Sequence, residues 1–417
     1  MIPTEGIMTI IKNIIGTSIK RNTIGGYIGW SNCDNICMDI HHCLDMCEEP
    51  LEAEEYLVVL EVATYILVSG IKLASGADSS SGMLTDVIIR TYGLIDRCTK
   101  DISKQDKKIR DAALGVIIKE SKKKAFYGWT DWRYDLLKCG ICLCDEKSAK
   151  KLEKTLDGFL AVIEEDHFHE YYKQEDMIVR YLLHRHLSGK EETRDELYEH
   201  IHVNELRILA MKDAIEDGNF KEAEKLCMEK SELDNDRRYR RNDPNDWNNL
   251  LFDIYVAAGD TDKQIEQAKK LLLFGNEDFW KILKQTYQKA GIWKEKYTEL
   301  LDELKNSKKS LCYRSVLIAE NEKERLLEDV TDNPHDLFYY GEYLVKDYPE
   351  EIYSLCYKVI MDNCAQARNR REYKKVTKEI LQLIKWKGKD TARKLVDELK
   401  QTYSRKPALI DELEMVE

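Results

Sequence analysis

Proline is almost missing from this chain, and its placement constrains the fold more than any other feature. Only Pro3, Pro50, Pro244, Pro334, Pro349 and Pro407 occur in 417 residues, with none between Pro50 and Pro244. Proline removes a helical hydrogen-bond donor and clashes with the preceding turn, so helix interiors exclude it. The prolines sit beside turn residues, as in Glu49-Pro50, Asn242-Asp243-Pro244, Asn333-Pro334 and Tyr348-Pro349, where helices begin. Apolar spacing agrees. Leu57, Leu60, Thr64, Leu67 and Val68 follow a helical stripe, as do Ile352, Leu355, Val359 and Ile360. Alternating runs closed by tight hairpin turns are nearly absent, which predicts an all-α chain with essentially no sheet.

Internal repetition sharpens this. Trp247, Leu250, Ile254, Tyr255 and Ala257-Ala258-Gly259 recur 33 positions later as Trp280, Leu283, Tyr287 and Ala290-Gly291. Each motif closes on glycine and leads into a second amphipathic stretch, Gln264 to Phe274 in one copy and Lys294 to Leu304 in the next. A third copy without tryptophan runs from Leu206 through Gly218-Asn219-Phe220 to Ala223. Each unit is a helix hairpin of tetratricopeptide size, and a lone hairpin cannot bury its apolar face, so neighbours must stack. The expected fold is an α-solenoid of stacked antiparallel helix hairpins, tetratricopeptide-like (TPR-like) in the C-terminal half. The expected division is an N-terminal helical domain over 1–165 and a helical-repeat domain over 166–417.

Composition limits the functions on offer. Lys+Arg number 65 against Asp+Glu 77, a net charge of −12, so the whole-protein field repels phosphate backbones. With 43% apolar and 34% charged residues the chain is too apolar for a disordered polymer and too charged for a membrane bundle. Its most apolar run, Leu57 to Ala74, carries Glu61 and Lys72 and reads as a buried core helix. Twelve cysteines in a chain this long lack the density of a secreted disulfide scaffold. The opening Met1 to Met8 has neither the basic start nor the small-residue cleavage site of a signal peptide. The expectation is a reduced, soluble, cytoplasmic protein without membrane contact.

Several stretches resemble the helical region of bacterial SWIM zinc-finger proteins. They include Asp347-Tyr348-Pro349-Glu350-Glu351, Asn369-Arg370-Arg371-Glu372-Tyr373 and the ending from Tyr403 to Leu413. The hairpins with Gly218-Asn219-Phe220 and Gly259-Asp260 look similar, as do Gly26 to Trp30, Asp78 to Gly82 and Trp129-Thr130-Asp131-Trp132. The resemblance implies helical packing, not catalysis. A SWIM finger needs Cys-x-Cys followed by Cys-x-His; Cys142-Leu143-Cys144 supplies the first half, in a segment that reads as helix, and no Cys-x-His follows. The zinc and DNA roles of that finger therefore do not carry over.

Other groupings have a chemical and a packing reading. Cys33, Cys37, Cys43 and Cys47 fall within an arc of about 120° on a helix, and His41 stands four residues from Cys37. They are candidate metal ligands, but four thiolates strung over about 21 Å of straight helix cannot meet at one tetrahedral ion. The favoured reading is a buried seam of small apolar side chains, with no metal or cofactor. Cys139, Cys142 and Cys144 are read the same way. His167/His169, His184/His186 and His200/His202 are two apart, which on a helix turns the rings away from each other. Gly25, Gly26 and Gly29 read as a turn between helices. Four arginines around a ring in Arg237-Arg238-Tyr239-Arg240-Arg241 suit phosphate clamping and base stacking, or an inter-hairpin loop paired with nearby aspartates.

No catalytic arrangement emerges. The expected function is a non-enzymatic scaffold that binds a protein or peptide on its concave surface, with Trp247, Tyr255, Trp280, Tyr287 and Trp293 as candidate contacts. An accessory role in DNA or RNA transactions through Arg237 to Arg241 is one alternative, and a peptide-sensing regulator is another.

Overall fold

The computed structural model describes residues 4–163, 169–234, 247–307 and 309–416. Among these the chain is all-α, with 23 α-helices and three short 3₁₀ turns. β pairing is confined to isolated bridges, Ile24 with Tyr27 and Ile28 with Ala77. Three prolines stand at the first position of a helical turn: Pro334, Pro349 and Pro407. The missing donor is lost there without penalty.

The chain divides into two compact units, Met1–Asp217 and Gly218–Glu417. This division falls C-terminal of the 165/166 boundary expected from sequence. The first unit holds α1 (Thr4–Asn22), α2 (Trp30–Asp45), α3 (Glu48–Glu52), α4 (Tyr56–Ala74), α5 (Met83–Ile102) and α6 (Lys107–Ser121). It continues with α7 (Thr130–Gly140), α8 (Glu146–Ile163), α9 (His169–Ser188), α10 (Arg194–Glu199) and α11 (Asn204–Glu216). Its centre is α4, which packs against α1, α2, α3, α5 and α6. Val59, Leu60, Ile66, Leu67 and Ile71 are buried there, each worth about 1.5–3 kcal/mol relative to exposure. Among the described residues α4 alone is long and apolar enough to cross a membrane. Its neighbours cover it as a core helix, in keeping with the reading of Leu57 to Ala74.

The second unit is built differently. It holds α12 (Phe220–Asp234), α13 (Trp247–Ala258), α14 (Thr261–Leu273), α15 (Asp278–Lys289), α16 (Trp293–Asn306) and α17 (Ser310–Glu320). Then follow α18 (Lys323–Asp332), α19 (Leu337–Leu344), α20 (Pro349–Gln366), α21 (Arg370–Lys385), α22 (Lys389–Thr402) and α23 (Pro407–Glu414). Each helix packs on the next in sequence, and α14, α20 and α21 also reach α16, α22 and α23. The third repeat copy, from Leu206 to Ala223, straddles the division at Asp217 and lies in neither unit as a whole.

The repeat is written in the helix ends. Gly259 has φ 69°, Gly275 103° and Gly291 74°, a left-handed conformation that glycine adopts without strain. In each case the following N–H reaches back five residues: Asp260 to the Tyr255 carbonyl at 3.1 Å, Asn276 to Leu271 at 3.1 Å, Ile292 to Tyr287 at 3.0 Å. These are Schellman caps, which satisfy the last carbonyls and turn the chain. By cap position Tyr255 matches Tyr287, so the structural period is one residue shorter than the Trp247-to-Trp280 spacing. The stretches behind the family resemblance are also helix ends. Asn369 caps α21 by accepting from the Glu372 N–H at 3.1 Å, while the Glu372 carboxylate accepts from the Arg368 N–H at 2.5 Å.

Candidate functional site

The repeat aromatics proposed as partner contacts lie mostly inside the second unit. Trp247, Tyr255, Trp280 and Tyr287 are buried, and Trp293 is half-buried. The Trp280 ring meets Trp293 and Tyr297 edge-on at 5.6 and 6.0 Å, and its indole N–H donates to Glu320 at 2.9 Å. The same Glu320 carboxylate accepts Lys284 at 2.7 Å. Large rings recurring at these positions mostly fill the space between helices. Tyr255 is the exception, because its edge reaches a cleft.

That cleft is formed by α12, α13 and α14 with the α16–α17 link, and encloses about 940 Å³. Met228, Leu251, Tyr255, Leu273 and Phe274 give it apolar walls. Met228 is 43% and Phe274 59% exposed, so both present apolar surface at the cleft. Four lysines (Lys263, Lys269, Lys270 and Lys309) line it against two glutamates (Glu224 and Glu266), a local excess of cations in a chain of net charge −12.

These charges are not equivalent. Glu224 accepts the Tyr255 hydroxyl at 2.8 Å and Lys263 at 2.7 and 2.8 Å. Burial pushes the Glu224 pKa up, but those hydrogen bonds outweigh it and hold the carboxyl below its usual range. Burial and the bond to Glu224 push the Tyr255 phenol up, so it stays a donor. Lys269 is taken by Glu303 at 2.7 Å. Lys270 and Lys309 have no ion pair among the described residues and are the free cations of the cleft. The Lys309 stem lies over Gly275, where a Cβ would come within 3.5 Å of it. In the sequence Met228, Lys270 and Lys309 carry no signal of this cleft, and Phe274 shows only as the end of an amphipathic stretch before Gly275.

The remaining groups are dispersed. Arg237, Arg238, Tyr239, Arg240 and Arg241 lie outside the described residues. Cys33, Cys37, Cys43 and Cys47 are buried where α2 packs on its neighbours, and burial pushes Cys37, Cys43 and Cys47 up to about 12. Cys47 lies beyond the end of α2, in the link to α3, yet still turns inward. His41 sits beside the Arg90 guanidinium, 3.3 Å from its Nδ1. No three His, Cys, Asp or Glu side chains among the described residues converge as metal ligands would.

Cys142-Leu143-Cys144 is not α-helical: Ile141–Leu143 forms a 3₁₀ turn and Cys144 is extended. His184 and His186 diverge, to Glu196 at 2.7 Å and the Cys144 carbonyl at 3.2 Å. His200 and His202 do not: they lie in the turn after α10, where the rings meet edge-on at 6.1 Å. His167 lies outside the described residues. Comparison with family models, curated proteins and solved structures finds no match, so the resemblance to the helical region of SWIM zinc-finger proteins stands on its quoted motifs alone.

Proposed function

We propose that Gly218–Glu417 is a TPR-like α-solenoid and that the chain is a non-enzymatic scaffold, binding an extended acidic peptide segment in the cleft between α12, α13 and α14. The observation that carries this reading is the pairing of two uncommitted lysines, Lys270 and Lys309, with exposed Met228 and Phe274 in one open groove. The sequential packing and the recurring Schellman caps support the solenoid part. Apolar pockets take side chains of the segment, and the lysines select carboxylates and exclude basic segments.

The test is fluorescence polarisation of the full chain with labelled ten-residue peptides that carry Leu or Phe in acidic or basic contexts. Acidic peptides bind, more weakly as salt rises, and the double substitution Lys270→Glu, Lys309→Glu weakens them by about tenfold or more with unchanged helicity. Equal retention of acidic and basic peptides, or indifference to the double substitution, ends the reading. Tighter binding of single-stranded RNA or DNA than of any peptide transfers it to the nucleic-acid alternative.

A further inference from the structure

Arg133, on the fourth position of α7 in the first unit, is 6% exposed, and its side chain makes no ion pair or hydrogen bond among the described residues. Its Nε is enclosed with no acceptor. The comparison within the chain is Arg314, equally deep at 2% exposed, which binds Asp329 at 2.5 Å and Asp336 at 2.6 Å. A buried charge without a counter-charge is expensive, so a guanidinium left this way needs a reason.

Its surroundings supply one. The guanidinium carbon lies 4.6 Å from the Phe159 ring centre and 5.5 Å from that of Tyr127. Aromatic rings engage the flat faces of a guanidinium and leave its N–H edge for an acceptor. Side chains on a helix lean toward its N-terminus, and the contact with Tyr127, just ahead of α7, agrees. That entrance is open: Tyr127 is 63% exposed, and a Cβ built on Gly128 would meet nothing within 4 Å. Burial lowers the Arg133 pKa, with only the phenols of Tyr134, Tyr127 and Tyr172 working against it.

We propose that Arg133 anchors a site for a small carboxylate, which enters past Tyr127 and Gly128 and takes the guanidinium edge in a two-pronged hydrogen bond. A monoanion matches the one guanidinium charge, whereas a phosphate dianion would leave a negative charge uncompensated beside two aromatic rings. The site is independent of the peptide cleft, since all its residues belong to the first unit.

The test is isothermal titration of the full chain with benzoate, acetate and inorganic phosphate. Benzoate and acetate bind saturably at one site with Kd near or below about 1 mM, phosphate does not, and Arg133→Lys weakens the carboxylates by about tenfold or more while keeping charge and stem. Arg133→Met abolishes binding. The proposal is overturned if the unaltered protein binds neither carboxylate saturably, if phosphate binds as tightly, or if either variant, folded by circular dichroism, binds like the parent. The first two outcomes need no variant, so a misfolded substitution leaves the test intact.

Discussion

At the scale of single residues, the acids that burial perturbs are more informative than those on the surface. Glu379 on α21 is buried with no ion pair among the described residues, and both its oxygens accept from the Asn363 amide at 3.0 and 2.9 Å. Burial lifts its pKa above the usual range, more than those hydrogen bonds and Lys375 lower it. The sign follows directly. Below pH about 4 both folded and unfolded chains keep the proton, and the group is neutral to stability. As pH rises past the unfolded value and then the folded one, the unfolded chain releases the proton more readily, and stability is lost. Glu379→Gln is therefore expected to raise Tm relative to the parent at pH 7, by a margin that vanishes near pH 4. A margin independent of pH would refute this assignment. None of this is legible from Glu379 in one dimension, where it is one of 77 acids. The burial of Cys33, Cys37 and Cys43 was legible, because a small apolar residue recurring on one helix face implies a seam, whereas Cys139 and Cys142, read the same way, are only half-buried.

At the scale of elements, the helix ends read clearly where glycine takes the left-handed position and poorly where it does not. At the end of α21 the left-handed residue is Lys387, φ 71°, with Gly388 after it. Lys387 N–H donates to Ile384 at 2.9 Å and Gly388 N–H to Leu383 at 3.0 Å, the same cap made with a lysine. The glycine is fixed by space instead: a Cβ on Gly388 would come 2.5 Å from Leu383 Cδ1. A sequence reading assigns the strained position to the wrong residue of the pair. Lys387→Gly is expected to stabilise the chain by about 1 kcal/mol, a rise in Tm of about 2–4 °C in differential scanning calorimetry. Gly259→Ala, in open space but at φ 69°, should lose a similar amount. If both substitutions move Tm the same way, the caps are not what sets these energies. The aromatics show the complementary failure. Their spacing announced successive packed helices, but the same spacing cannot say which rings face a neighbour helix and which face solvent.

At the scale of the whole molecule, helicity and stacking follow from proline scarcity and repeats, whereas the cleft depends on three helices and a link meeting in space. Lys270 looks like any other surface lysine until α12 and α13 are placed beside it. The thiols offer a check on both units together. Ten of the twelve cysteines are buried, with Cys139 and Cys142 half-buried, and burial pushes Cys98, Cys139 and Cys356 up to about 12. A thiol-specific colorimetric reagent near pH 8 is expected to titrate at most two thiols in the native chain, and all twelve once the chain is denatured. Four or more fast thiols would mean that a core is looser than the packing implies.

The central position of α4 also has a consequence in time. During synthesis this greasy rod leaves the ribosome before α5 and α6, which clothe it, have been made. At about 5–20 residues per second, the wait for α5 lasts on the order of a few seconds. For that interval the nascent chain displays a segment that lipid or a chaperone would recognise, and the order of translation, with α1 and α2 already emerged, supplies the first cover.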